Sequence, residues 1–380
     1  MRIAFIGQKG IPAFSGGVEK HVEEISTRMA KMGHEVFVYA RNNYTDKNLK
    51  GYKGVRIINL PSIPTKNMDA ISHTFLATIH ALFQKYDVIH YQAIGPTSLS
   101  FIPKILKRNT LIASTFHCQD YFHQKWGWFA KAYLKLGEYL TCKVPHLVVS
   151  VGKTLHEYAR KKYKLETVLI SNGAAANFNP KTQALDRWNI KEKKYVLSVS
   201  RLVKHKGIHY LIEAWKKMED TGKIPSGFKL LIVGEGSHTD EYVQYLKKMT
   251  EGRENIIFTG TQSGSSLEQI FSHAYLFVQP SEYEGLSISL LEAMAYGVAP
   301  LVSDIPENLE AINASGISFK NKDTEDLENK LAYLLNNPEK AEISAKNAKK
   351  RAEKEYSWNS IAQKTIEAYR DELIKLTDKK

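Results

Sequence analysis

Two carboxylates stand eight residues apart in "VQPSEYEGLSISLLEAMAYGVAPLVSD", Val278 to Asp304. Glu284 falls in a short polar loop after a strand-like run. Glu292 falls inside a helical run whose neighbours Leu290, Leu291, Ala293, Met294 and Ala295 are all apolar. An acid embedded there needs a partner if it is buried. Acids so placed can accept hydrogen bonds from the hydroxyl pairs of a sugar. Simpler readings stand beside this one: Glu284 as a favourable charge at a helix N-terminus, Glu292 on a solvated face. Glu292 is expected about two turns beyond Glu284, rotated by roughly 80° at 3.6 residues per turn.

Cations that could complete such a site lie in "SVSRLVKHKGIHY". Arg201 and Lys206 follow one strand-like run and precede a helical one. A guanidinium forking onto oxygens and an ammonium acting as a point charge suit a diphosphate. Ordinary surface charge is the alternative, and Lys204 fits it. Gly16 and Gly17, in "GQKGIPAFSGGVEKH", open a helix after a strand and a loop. Free N–H groups at such a start attract phosphate, and glycine lets a ligand approach the backbone. The spacing of Gly7, Gly10, Gly16 and Gly17 matches neither GxGxxG nor a P-loop, and a plain turn and cap fits equally. His117 ends "LIASTFH". A strand-end imidazole can donate to a substrate hydroxyl or move a proton, or it can sit satisfied in a core. His205 and His209 have i,i+4 spacing, but Gly207 lies between them and a third ligand is lacking. The chain contains no Asp-x-Asp, so a carboxylate-bound Mg²⁺ is not expected.

These residues need elements to hold them. "RIAFIG" reads as a buried strand, and "VEKHVEEISTRMAKMGHE" as a helix with Val18, Val22, Ile25, Met29 and Met32 on one face and Gly33 as its cap. "EVFVYA" and "GVRIINL", a helix near 68–85, "DVIHYQ", a helix near 97–107 and "LIASTFH" continue the alternation. A second series starts near residue 195: "YVLSVS", "KLLIVGEG", "NIIFTG", "YLFVQP" and "APLVSD", with helices between. Alternation of this kind predicts two doubly wound α/β domains with parallel sheets. The Asn-, Gly- and Pro-rich "ISNGAAANFNP" reads as the hinge. The expected domains are therefore 1–178 and 179–359, and a terminal helix long enough for 360–380 to complete the first. Two such domains imply a cleft, with ligands outside the carboxyl ends of the strands.

Bulk properties narrow the partners. The chain has 380 residues, a net charge of +13 and two cysteines, Cys118 and Cys142, which form no CxxC pair. That fits a reducing cytosol. The start shows no signal-peptide pattern, and no apolar run approaches a bilayer span. Residues 1–180 carry 24 Lys and Arg against 11 Asp and Glu, and the rest carry 29 against 29. All of the positive excess thus lies in the first half, which points to an anionic partner there. "KWGWFAKAYLKLGEYLTCK" interleaves Trp126, Trp128, Phe129 and Tyr133 with Lys125, Lys131 and Lys135. It suits an anionic membrane surface, or equally a helix packed on its own domain. A nucleic-acid partner would explain the basic half but not the acidic pair.

Together, "GEGS", "SRLVKHKG", "SNGA", "FTGT" and "EGLSISLLEAMAYGVAPLVSD" resemble the retaining glycosyltransferases of family 4, whose fold is GT-B: two Rossmann-like domains facing across a cleft. The two glutamates match that family's E-x7-E motif. "IGQKGIPAFSGGVEKHVEEIS" and "HQKWGWFAKAYLKLGEYL" are similar to the branch that assembles polysaccharides and cell-surface glycans. The resemblance implies that Glu284 binds donor-sugar hydroxyls and Glu292 the nucleotide ribose. Arg201 and Lys206 would hold the diphosphate, Gly16 and Gly17 would supply N–H groups, and His117 would contact the donor sugar. Gly234, Gly260, Gly285, Leu286 and Ser287 would line the donor and nucleotide site. The chain departs from the family in "GLSIS", where Phe-Gly or Pro is common.

The expected activity is transfer of a sugar from a nucleotide diphosphate, UDP by family frequency, to a hydroxyl of a glycan or lipid-linked acceptor. Transfer would retain the anomeric configuration and need neither metal nor cofactor. A nucleotide-sugar epimerase of the same fold is the alternative, and would need no acceptor. The expected location is the cytoplasm, at the inner face of the plasma membrane if the basic domain binds lipid.

Overall fold

The computed structural model describes residues 1–65, 67–122, 127–237 and 239–378. The chain divides into two compact units, Met1–Asn172 with Trp358–Lys380, and Gly173–Ser357. Residues 173–178 go with the second unit because their bonds do. The Ala174 N–H donates to the Tyr356 carbonyl (2.7 Å), and the Asn177 amide donates to Glu268 (2.8 Å). The divide therefore falls at 172/173 and 357/358 rather than at 178/179 and 359/360.

In the first unit eight strands form one sheet: β1 (Arg2–Ile6), β2 (Glu35–Arg41), β3 (Gly51–Tyr52), β4 (Val55–Leu60), β5 (Val88–Gln92), β6 (Leu111–Phe116), β7 (Leu147–Ser150) and β8 (Val168–Leu169). Their order is β3-β4-β2-β1-β5-β6-β7-β8, parallel throughout except for the β3–β4 hairpin. Ile3 pairs with Val36 on one side and Val88 on the other. Ile3, Ala4, Phe5 and Ile6 are all fully buried. A strand covered on both faces reads as an unbroken apolar run, as "RIAFIG" does.

Six helices join these strands: α1 (Gly17–Lys31), α2 (Asp69–Leu82), α3 (Ile94–Thr97), α4 (Phe101–Leu106), α5 (Trp128–Lys143) and α6 (Lys153–Tyr163). α1 buries Val22, Ile25 and Met29 as the periodicity predicts. Met32 lies past the last turn and is exposed. The helix expected near 97–107 is two helices. Pro96 and Pro103 each need a place in a first turn, where no N–H is missed, so two prolines make two starts. The terminal helix, Trp358–Asp378, packs on α1. Its Trp358 meets the His21 ring edge-on at 5.7 Å, and its Tyr369 hydroxyl lies 2.5 Å from His90 Nδ1.

The second unit holds β9 (Tyr195–Val199), β10 (Lys229–Val233), β11 (Ile256–Phe258), β12 (Leu276–Gln279), β13 (Ala299–Ser303) and β14 (Ile317–Phe319). Its helices are α7 (Gln183–Asp186), α8 (Ile208–Asp220), α9 (Asp240–Met249), α10 (Gly264–Ser272), α11 (Ile288–Ala295), α12 (Pro306–Ile312), α13 (Thr324–Asn336) and α14 (Pro338–Glu355). The sheet is wholly parallel, in the order β11-β10-β9-β12-β13-β14. Its core gathers Trp215, Leu211, Leu230, Leu276 and Leu301 with Leu327 and Leu331. Chain order runs one way from β9 to β11 and the other way from β12 to β14. The loops after β9 and β12 thus part on opposite faces and leave a crevice at the carboxyl edge. Among the described residues no helix is long and apolar enough to cross a membrane.

Candidate active site

The crevice between β9 and β12 is set by a glycine. Gly207 has φ +69°, and the Pro280 carbonyl oxygen lies 1.9 Å from where a Cβ would stand. No side chain fits there, so the loop after β9 presses directly on the loop after β12. The His205 ring stacks on Tyr283 at 4.4 Å, and the Glu282 N–H donates to the His205 carbonyl (2.8 Å). That contact delivers Lys206 to Glu284. The ammonium lies 2.5 and 2.7 Å from the two carboxylate oxygens, and the Ser281 hydroxyl donates to the nearer one (2.6 Å). The side chains are only 15% and 8% exposed. An ammonium has three donors and a carboxylate about four lone-pair positions. Each therefore keeps capacity for a further partner.

Arg201 follows β9 by two residues and is exposed. Among the described residues its guanidinium forms no ion pair. Gly234 closes the other side: with φ +132°, its Cβ would stand 1.9 Å from the Ser200 carbonyl. Its N–H donates to the Gly260 carbonyl (2.9 Å), and Thr261 N–H donates to Glu235 (3.3 Å). The ends of β9, β10 and β11 are thereby bound together beside Arg201.

Glu292 sits half-buried on α11, but Glu284 does not share that helix. α11 begins at Ile288 with Ser287 as its cap, so a loop separates the acids and the 80° rotation does not relate them. Gly285 is half-buried and Leu286 buried. The Ser287 hydroxyl is already engaged: it accepts from Leu290 N–H (3.4 Å) and donates to Gln279 Oε1 (2.6 Å).

The first unit's candidates are placed differently. Gly16 caps α1 and Gly17 opens it. Glu19 in that first turn lays its carboxylate against Gly16, and its Oε1 accepts the Lys9 N–H (3.0 Å). An acid thus already faces this helix start. His117 directly follows β6, is 7% exposed, and lies edge-on to His21 at 4.9 Å. Its Nε2 is 2.8 Å from Gln92 Oε1. Burial, then the neighbouring His21 and His90, holds its pKa well below the usual imidazole value. Burial likewise lowers His21 to about 4 and His90 to about 3. His117 is a neutral imidazole built into a core network.

His205 and His209 do not act together. The first stacks on Tyr283, while Nδ1 of the second is 2.8 Å from the Tyr242 hydroxyl. On α5, Trp128 and Phe129 point outward, 83% and 72% exposed. Tyr133 turns inward to Ser98 (2.5 Å), and Lys135 lies over the Tyr121 ring. Lys125 and Trp126 lie outside the described residues.

Sequence reasoning passes over Ser281, Gln279, Asn308 and Glu307. The signal was there in part: "LFVQ" and "APLVS" are apolar strands ending on a polar residue. Burial pushes the Glu307 carboxyl up to about 7, helped by the charges of Glu284 and Glu310.

Two family models match, one over most of each unit. "Glycosyltransferase Family 4" covers residues 15–178 and "Glycosyl transferases group 1" covers 180–351. The chain belongs to these glycosyltransferases. An uncharacterized glycosyltransferase of Methanocaldococcus jannaschii is 27% identical over 97% of this chain and 98% of its own. The N,N'-diacetylbacillosaminyl-diphospho-undecaprenol alpha-1,3-N-acetylgalactosaminyltransferase of Campylobacter jejuni is 31% identical over 49% of this glycosyltransferase and 47% of its own length. Among solved structures, sucrose-phosphate synthase of Thermosynechococcus elongatus superposes with a TM-score of 0.80 at 22% identity, covering 97% and 98% of the two chains. Anabaena HepE in complex with UDP and glucose gives 0.80 at 18%, covering 98% and 100%. These likenesses show the fold, GT-B, with its two Rossmann-like domains.

Proposed function

We propose that this glycosyltransferase takes its sugar from UDP and passes it to a hydroxyl of a glycan or lipid-linked acceptor, with retention at the anomeric carbon. The observation that carries the reading is the convergence of Lys206, Glu284 and the Arg201 loop at the switch point of the second sheet, where parallel α/β sheets hold ligands. Cations there meet the charge that grows on a departing diphosphate, which is electrostatic catalysis and calls for no metal. In this reading Arg201 and Lys206 take the diphosphate, Glu284 the sugar hydroxyls and Glu292 the ribose. Gly234, Gly260, Gly285 and Leu286 shape the pocket through backbone. The bond from the anomeric carbon to phosphate breaks as the acceptor oxygen bonds on the same face. The acceptor's proton passes to the leaving phosphate.

UDP is favoured by the name of the HepE complex, and a lipid-linked acceptor by that of the Campylobacter relative. For the first unit the proposal keeps the family roles of Gly16, Gly17 and His117 and assigns the acceptor. Two apolar patches there carry basic neighbours. One is Trp128 and Phe129. The other is Phe83 with Ile105 and Leu106, joined where the Lys107 ammonium donates to the Leu82 carbonyl (3.1 Å), beside Lys85, Lys104 and Arg108. Such patches suit an anionic bilayer face and a cytoplasmic location.

Thermal melting against a panel of nucleoside diphosphates and their sugars tests the donor. A ligand that binds only the native state raises the melting point. UDP and one UDP-sugar are expected to raise it, and proton NMR of the product to show a retained anomer. A panel with no shift, or an inverted product, overturns the reading.

A further inference from the structure

The second unit contains a buried polar chain that touches both acids' supports, and its centre is Asn308. This residue is the third of α12 and is 1% exposed. Its Oδ1 accepts from Gln279 Nε2 at 2.6 Å. Its Nδ2 donates to the Ser303 carbonyl (3.2 Å) and hydroxyl (3.0 Å). From there two branches leave. Along one, Gln279 Oε1 accepts from Ser287, the cap of the helix that bears Glu292. Along the other, the Ser303 hydroxyl donates to the Ser281 carbonyl (2.5 Å), and the Ser281 hydroxyl donates to Glu284. Ser281 and Ser303 are fully buried and Gln279 nearly so.

The placement matters because of what it brackets. The loop from Pro280 to Ser287 carries Glu284, and the chain fastens it at both ends, at Ser281 and at Ser287. Apolar residues would fill that space without any donor or acceptor to satisfy. A fully connected polar network instead fixes one geometry, since each group must meet its partner to be buried at all. The strands it joins, β12 and β13, are neighbours, and Leu276, Val278, Leu301 and Val302 around it are buried apolar side chains.

We infer that Asn308 is a positioning residue: its single side-chain amide sets the loop that aims Glu284 at the donor sugar and the cap that aims the helix bearing Glu292. This rests on the donor-site reading above, which gives Glu284 its role. Asn308 itself touches no substrate. It acts through Ser303 and Ser281 on one side and through Gln279 and Ser287 on the other.

The test is a double-mutant cycle of Asn308→Ala with Glu284→Gln, read as kcat and donor KM separately. A small misplacement of a positioned group costs about 10- to 100-fold in rate, so kcat of N308A is expected to fall by that amount, with a smaller change in KM. The double variant should lose less than the product of the two single losses, because the Glu284 branch can be lost only once. Ser303→Ala, which removes one hydroxyl link and leaves the packing, should lower kcat in the same direction, and serves where N308A unfolds. Amide hydrogen exchange reads the linkage without activity: residues 281–287 should exchange faster in N308A or S303A, while β9 and β10 stay protected. Full kcat in both variants, losses that multiply with E284Q, or unchanged exchange at 281–287 would overturn the inference. A wild-type protein that shifts with no nucleotide and transfers no sugar would instead sink the donor reading, leaving the exchange result to judge the network by itself.

Discussion

The two units use the same parallel-sheet logic and put different chemistry at their carboxyl edges. The second brings charge to the edge: an ammonium, a carboxylate and a guanidinium on the loops after β9 and β12. The first holds Glu19 at the start of α1 and a largely buried pair, Arg41 with Asp69, near the ends of β1 and β2, and adds a cluster of uncharged rings. His21, His90 and His117 cluster there as neutral rings, with Trp358 and Tyr369 of the terminal helix against them. The global charges run the other way. The first unit carries 29 Lys and Arg against 15 Asp and Glu, the second 24 against 25. Bulk charge sits on the surface of one unit while the paired site charges are gathered in the other. Net charge therefore points to where a partner approaches, and strand-end geometry to where bonds change.

The comparison breaks first at Glu284. Glu284→Ala leaves the nearly buried Lys206 ammonium without its carboxylate, and breaking a buried pair costs about 3–5 kcal/mol. Urea unfolding should show that loss. Replacing both, Lys206→Met with Glu284→Leu, should restore most of the stability and none of the turnover. A stable E284A would mean the pair is not closed in solution. Trp358→Ala is the counterpart in the first unit. Deleting a buried Trp costs about 3–5 kcal/mol, and hydrogen exchange should rise in α1 and the terminal helix with α11 unaffected. Equal loosening of α11 would argue against two independent cores.

Arg201→Ala comes next. Its side chain is exposed, so melting should not move, while turnover falls by about 2–4 kcal/mol in the barrier, measured with saturating donor. Full turnover removes Arg201 from the site.

The smallest effect separates the units by pH. His21 and His90 titrate lower folded than unfolded, near 4 and 3 against 6.5. Their contribution is whole above about pH 6.5 and is lost as pH falls toward 4. Glu307 titrates higher when folded, near 7 against 4.5. Its contribution is whole below about pH 4.5 and is lost as pH rises through 7. Hydrogen exchange between pH 5 and 8 should thus show the first unit weakening toward acid and the second toward base. Glu307 is partly exposed, so solvent screening holds its share to roughly 1 kcal/mol. Glu307→Gln should flatten the second slope alone.

Much of this was legible in the chain. "KLLIVGEG" and "YLFVQP" announce themselves as buried strands with Gly or Pro stops, and "YVLSVS" as an apolar run with a polar end, because a strand covered on both faces needs an apolar run and an abrupt end. Arg201, Lys206 and Glu284 stand out as polar residues just past such runs. Their pairing does not. Lys206 and Glu284 are 78 residues apart, and nothing local says that β9 lies beside β12. The Met32 and 97–107 expectations missed because helix ends depend on single residues, a glycine or a second proline. Asn308 escaped notice because an Asn after a proline also reads as a plain helix start.

Alternation of apolar runs with amphipathic ones determined two α/β units, their strand ends and the residue types on the loops there, because periodicity and punctuation are properties of neighbouring residues. Only the tertiary structure decided that Lys206 meets Glu284, that His117 is a neutral ring in a core, and that the terminal helix joins the first unit. Each of these depends on which distant elements share a sheet edge or a face. That choice is made by packing the whole apolar core at once, and no short stretch of sequence contains it.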